Sequence, residues 1–146
     1  MMIGLWAKRR TTGILFFCVA FVSGCYWLRY PDIVRTHVEL LERMALDGRD
    51  MVAAGMEGRL DSRELERFRY PLERAKGFQR LVGPRFAGKE SLALFSDFLG
   101  EYEALLELME AGPSASKARL PRIKRGCVRL RDLARRILRA LDDEAG

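Results

Sequence analysis

Residues 91–110 read SLALFSDFLGEYEALLELME, and this stretch decides the fold. Leu92, Phe95, Leu99, Tyr102, Leu106 and Met109 recur at alternating spacings of three and four, which puts them on one face of an α-helix. Leu94, Phe98, Leu105 and Leu108 widen that face well beyond a narrow stripe. A helix apolar over so much of its circumference must be covered on several sides. The spacing therefore predicts a helix from about Lys89 to Ala111 that is the most buried element of the chain.

The flanking segments supply its cover. Upstream, a helix is expected from about Pro31 to Met56, with Val34, His37, Val38, Leu41, Met44, Ala45, Gly48, Met51 and Val52 on one face. Pro31 suits a first helical position, Asp32 suits the positive helix end, and Gly55 and Gly58 suit its C-terminal cap. A second helix starts near Asp61, where Asp61 and Glu64 have capping-box spacing. Its stripe is Leu65, Phe68, Leu72, Ala75, Phe78 and Val82, with a kink expected near Arg67–Pro71 and an end at Gly83-Pro84. Gly112-Pro113-Ser114 breaks the chain after the quoted stretch. A last helix follows from about Leu120 to Asp142, with Pro121 in its first turn and Ile123, Cys127, Leu130, Ala134, Ile137 and Leu141 on one face. No alternating β-branched run competes, and no helix pair repeats. Short links between four amphipathic helices predict an all-α, antiparallel up-down-up-down four-helix bundle over residues 31–146.

The chain has 146 residues, enough for one ordinary domain, and its 49% apolar content predicts folding rather than disorder. Its formal charge of +6 is unevenly placed. Lys8, Arg9 and Arg10 precede an uncharged run of twelve residues, Gly13 to Gly24 (GILFFCVAFVSG). A bilayer-spanning helix needs about 20 apolar residues, so this run has the length of a signal-peptide core. It ends in Val22, Ser23, Gly24 and Cys25, an aliphatic residue, two small residues and a cysteine.

That layout resembles the signal peptide and lipobox of bacterial lipoproteins. The resemblance covers about 25 residues and implies diacylglyceryl transfer to the Cys25 thiol, cleavage after Gly24 and further acylation of the new terminus. A multiply acylated Cys25 would hold the protein stably in a membrane, because each buried methylene contributes about 0.8 kcal/mol. Residues 1–24 would then be removed and residues 25–30 would form a tether. Tyr26 stands where an Asp resembles an inner-membrane retention signal in enterobacteria, which favours the outer membrane. An uncleaved anchor is the alternative: Tyr26, Trp27 and Leu28 extend the apolar stretch to 16 residues, and Trp27, Tyr26 and Tyr30 with Arg29 would make an interfacial belt. In both readings the basic N-terminus stays in the cytoplasm and the domain lies on the far side of the membrane.

Little in the domain points to catalysis. His37, the only histidine, lies on an apolar stripe between Val34 and Val38 with no Cys or carboxylate at metal-ligand spacing. Asp47 and Asp50 sit beside basic residues, as on a solvated face. Cys18 and Cys25 belong to the N-terminal segment, and Cys127 falls on a core stripe, so neither a disulfide nor a metal site is expected. No P-loop, dinucleotide fingerprint, nucleophile elbow, Glu-x-x-His pair or haem-attachment motif is present, and no cofactor is expected.

The last helix is the sharpest feature. Lys117, Arg119, Arg122, Lys124, Arg125, Arg129, Arg131, Arg135, Arg136 and Arg139 are interrupted by a single acid, Asp132. At about 100° per residue, those from Arg122 onward cover the side opposite Ile123. The third helix is the reverse, with Glu90, Asp97, Glu101, Glu103, Glu107 and Glu110 against Lys89. Flank pairing between these two helices explains part of the pattern. An anionic partner, either an envelope component or an acidic protein surface, explains the rest, since the guanidinium fork suits phosphate and carboxylate. Nucleic acid is not expected, because no aromatic residues interleave the basic face and the domain lies outside the cytoplasm. The expected function is a non-enzymatic, membrane-tethered envelope protein with Arg122, Arg125, Arg129, Arg131, Arg135, Arg136 and Arg139 as its contact face. The alternative is an envelope enzyme or ligand-binding bundle using His37 and nearby carboxylates.

Overall fold

Four helices account for the secondary structure of the described residues: α1 (Ile3–Ala54), α2 (Ser62–Phe86), α3 (Glu90–Glu110) and α4 (Ser116–Ala145). The computed structural model describes residues 3–55, 60–110 and 116–146, with side chains from Arg29 onward other than those of residues 116 and 117. The chain divides into two compact units, Met1–Ile33 and Val34–Gly146. In the first, the backbone from Ile3 is helical. The side chains of Val22, Ser23, Gly24 and Cys25, and with them the expected cleavage and lipidation site, lie outside the described residues. Gly58 also lies outside them.

The second unit is an antiparallel four-helix bundle. Three sets of contacts fix its pairing. Arg69 bridges to Glu110 (3.4 Å) and Lys76 to Glu103 (2.9 Å), so α2 and α3 run antiparallel. Arg129 bridges to Glu101 (2.7 Å), and Glu144 accepts from the Ser91 backbone N–H (3.0 Å) and hydroxyl (2.6 Å), so α3 and α4 do likewise. Arg131 bridges to Glu42 (3.4 Å) and Arg35 to Asp142, which closes the ring between α4 and α1. Each of these interfaces joins oppositely charged side chains. Such exposed pairs contribute only about 0–1 kcal/mol each, so they select which helices become neighbours more than they stabilise the bundle.

The core follows the expected stripes. Val34, Val38, Leu41, Ala45 and Val52 of α1 are buried, as are Leu65, Phe68, Leu72, Ala75 and Val82 of α2. All six expected positions of α4 are buried. Nine of the 21 residues of α3 are buried against six of the 25 in α2, as its wide apolar surface predicts. Leu92 and Leu108 at its edges, Phe78 on α2, and His37, Met44 and Met51 on α1 are half-buried. The capping box at α2 is formed: the Asp61 carboxylate accepts from the Glu64 N–H (2.8 Å), and Glu64 accepts from the Asp61 N–H (3.3 Å).

Three prolines sit deeper in helices than expected. Pro31 lies inside α1, because the residues before it are themselves helical. Pro121 is the sixth residue of α4 rather than part of its first turn. An N–H at this position would pair with the carbonyl of residue 117, so proline there removes only an early bond of the ladder. Gly83-Pro84 does not end α2, which continues to Phe86. Val82 and Phe86 are both 2% exposed, and their burial offsets the bond lost at Pro84. The turn comes at Gly88, whose φ of 90° suits only glycine without strain, and the Lys89 N–H donates to the Phe86 carbonyl (3.0 Å). α2 also runs through Pro71. In the turn that proline loosens, the buried Tyr102 hydroxyl donates to the Phe68 carbonyl (2.9 Å). Burial holds that phenol far above its ordinary pKa, so it remains a donor.

Candidate anion-binding face

Helix α4 sorts its arginines by angle. At about 100° per residue, Arg122, Arg125, Arg129 and Arg136 fall toward α3, Arg131 falls toward α1, and Arg135 and Arg139 lie between. The two edges are partly neutralised, by Arg129 to Glu101 and by Arg131 to Glu42. Arg122, Arg125, Arg135 and Arg136 are exposed and, among the described residues, bridge to no acid. The Arg139 Nε donates to the Arg135 carbonyl (3.4 Å) and so stays on the helix surface.

On the α3 side these side chains form one wall of an open cleft of about 460 Å³. Arg122, Arg125 and Arg129 face Ala104, Glu107 and Leu108 across it. Ala104 leaves the room, being the smallest side chain on its wall. On the inner side of the same seam the helices meet closely. A methyl group at Gly126 would collide with Leu105 Cδ2 and lie 3.1 Å from its Cγ. Glycine there allows α4 to nest against Leu105 while its arginines emerge at the rim. Glu107 offsets one of the three guanidinium groups and Glu101 pairs with Arg129, which leaves the cleft with a formal excess of one positive charge. Such a site can hold a phosphate or carboxylate through paired N–H donors.

Arg119 does something different. It is 2% exposed, and its Nη1 donates to the Leu108 carbonyl (3.1 Å) in the last turn of α3. A cation on the C-terminal carbonyls both satisfies an acceptor and meets the negative end of the helix dipole. Glu144 plays the complementary part at the other end of α3. Lys89 precedes that helix and has no side-chain acceptor, so the Glu144 carboxylate takes the first-turn N–H of Ser91 instead. The same angular arithmetic that puts Arg122 outside puts Arg119 on the arc of Ile123 and Leu130, which is the sequence signal for its burial. No comparable signal marks Glu144, whose partner lies 53 residues away.

His37 packs its ring 5.6 Å from Phe78 and 6.3 Å from Phe95, centroid to centroid. Burial, and next the nearby Arg74 cation, lower its pKa below the ordinary 6.5, so the neutral imidazole is favoured. Asp50 is bound to its neighbour Arg49 (3.0 Å) and Asp47 is exposed, so neither carboxylate joins His37 in a cluster. Cys127 is buried, with its Sγ 3.7 Å from the Ala45 carbonyl, and burial raises its thiol pKa. Among the described residues, no group of three or more His, Cys, Asp or Glu is placed to hold a metal ion, and no helix is long and apolar enough to cross a membrane.

No protein-family model matches the chain, and no similar curated protein or solved structure was found.

Proposed function

We propose that this chain is a small, non-enzymatic helical protein of the bacterial envelope. It is tethered through a lipid on Cys25 after cleavage at Gly24, and its bundle lies on the extracytoplasmic side. There the arginine-rich face of α4 engages an anionic envelope component or an acidic protein surface. The observation that carries the binding role is the cleft in which Arg122, Arg125 and Arg129 converge opposite Ala104. Flank pairing leaves Arg135 and Arg136 exposed to extend the same charge along the helix.

Two measurements test the reading. The intact mass of the protein from its native host decides the tether: loss of residues 1–24 with a lipid-sized addition on Cys25 is expected. An unprocessed Met1 terminus would replace the lipid with a membrane-embedded N-terminal helix. For the face, the full chain carrying Arg122→Glu, Arg125→Glu and Arg136→Glu is compared with the native chain in co-purification from envelope extracts. Loss of the recovered partner with an unchanged circular dichroism spectrum is expected. Undiminished recovery would reject the role of α4.

A further inference from the structure

A second cationic surface lies on α2, on the opposite corner of the bundle from α4. The apolar stripe of α2 faces inward, but a second stripe runs along its outside at the same spacing of three and four. It reads Arg63, Arg67, Tyr70, Arg74, Gly77 and Leu81. Two of its members are among the most exposed large hydrophobic side chains of the described residues, Tyr70 at 65% and Leu81 at 57%. The Arg74 guanidinium lies over the Tyr70 ring, 5.9 Å from its centroid. Among the described residues, Arg63, Arg67 and Arg74 bridge to no acid, whereas Arg69 and Lys76 on the α3 edge do.

The neighbouring helix continues this surface. His37 packs on Phe78, and the site of a methyl at Gly48 lies 3.7 Å from Phe68, so α1 and α2 run antiparallel in a defined register. That register puts Leu40, which is 42% exposed, at the height of Arg74 on the flank shared by the two helices. Three of the four exposed large hydrophobics of the described residues thus lie on the outer α1–α2 face, and one of them, Tyr70, carries the Arg74 guanidinium over its ring.

We propose that this face docks on an anionic lipid bilayer. A protein interface gathers its apolar residues into a desolvated centre with a polar rim. Here Leu40, Tyr70 and Leu81 are spaced singly among guanidinium groups, over roughly 16 Å of helix from Tyr70 to Leu81. That pattern suits the headgroup layer. Tyrosine places its ring below and its hydroxyl at the wet boundary, leucine reaches the first methylenes, and arginine bends its stem along the surface so that the cation meets lipid phosphate. Self-association through this face is disfavoured, since it would bring two sets of Arg63, Arg67 and Arg74 into one interface with no acid of the stripe to pair them. Docking here leaves the α4 cleft facing away from the bilayer. The proposal needs a membrane-associated chain but holds for either kind of tether.

Hydroxyl-radical footprinting of the full chain tests it. The protein is reconstituted into phosphatidylcholine vesicles, into vesicles that also contain phosphatidylglycerol, and into neutral detergent micelles. Either tether of the proposed function would associate with all three, so differences between them report on the bundle surface. Oxidation of Tyr70 and Leu81 should fall severalfold in the phosphatidylglycerol vesicles alone, with Val128 on α4 unchanged. One arginine near an anionic surface contributes roughly a fivefold gain in binding, so Arg63→Glu, Arg67→Glu and Arg74→Glu together should abolish the protection. If the charge reversals unfold the chain, the corresponding Gln substitutions should do the same to a lesser degree. Equal oxidation in both vesicles overturns the proposal, as does equal protection in both. Protection in micelles that grows with protein concentration overturns it as well, because it identifies a second copy as the occupant. None of these outcomes depends on a partner for α4.

Discussion

The seam between α3 and α4 and the seam between α1 and α2 are built differently. At α3–α4, Gly126 nests on Leu105, Arg119 caps the last turn of α3, and Glu144 caps its first. Both ends of one helix are therefore held by side chains of the other. At α1–α2, the half-buried His37 leans on the half-buried Phe78, and Pro71 removes a bond from the α2 ladder nearby. The outer surface there exposes Leu40, Tyr70 and Leu81. The first seam sets the arginines of α4 around their cleft through close packing and caps at both ends of α3. The second leaves half-buried side chains at the seam and an amphipathic outer face beside it. The same four-helix plan thus presents two cationic surfaces carried by differently built seams.

The largest expected effect measures that difference directly. Leu105 is 2% exposed and packs where the helices come closest, so Leu105→Ala should destabilise the bundle by about 3 kcal/mol. Phe78→Ala removes a larger side chain, but one only half-buried, and should cost about half as much. Urea unfolding monitored by circular dichroism gives both values. Equal costs, or a greater cost at Phe78, would break the distinction between the seams.

Arg119→Met comes next. Methionine keeps much of the buried stem but leaves the part-buried Leu108 carbonyl without its Nη1 donor, and a hydrogen bond to a charged group contributes about 1.5–3 kcal/mol. A loss of about 2 kcal/mol is expected in the same unfolding measurement, together with faster amide exchange at the C-terminal end of α3. A neutral result would mean that the cap is dispensable and that apolar packing alone holds the α3–α4 seam.

Much of this was legible from the residues. The bundle, the capping box at Asp61 and the six buried positions of α4 follow from spacing alone, because a period of three and four has one structural solution when every helix must bury a face. The prolines were less legible. Proline reads locally as a break, yet Phe86 beyond Pro84 gains more from burial than the helix loses in one bond. Arg119 hides for a related reason: arginine reads as exposed, and only its angle and a carbonyl eleven residues away place it inside. The outer stripe of α2 is diluted by Glu64, Glu66 and Glu73, so the cationic face reads from the sequence as belonging to α4 alone. Its meaning emerges only when exposure separates Tyr70 and Leu81 from the core.

The smallest expected effect lies at the α1–α2 seam and depends on pH. Free in the unfolded chain, His37 takes up a proton near its ordinary pKa of 6.5. In the bundle it does so only at lower pH, first because burial disfavours the imidazolium and then because the Arg74 cation repels it. Between the two values the unfolded state binds more protons. Stability from this residue is therefore full above pH 6.5, declines as pH falls toward the folded value, and changes no further below it. Urea midpoints measured from above pH 7 down to about pH 5 should show this decline in the native chain, and His37→Gln should remove it. Arg74→Gln should narrow the decline without abolishing it, because the larger cause, burial against Phe78 and Phe95, remains. If Arg74→Gln removed the decline completely, charge rather than packing would govern His37. The α1–α2 seam would then be an electrostatic contact like those of α4, and the difference between the two seams would disappear.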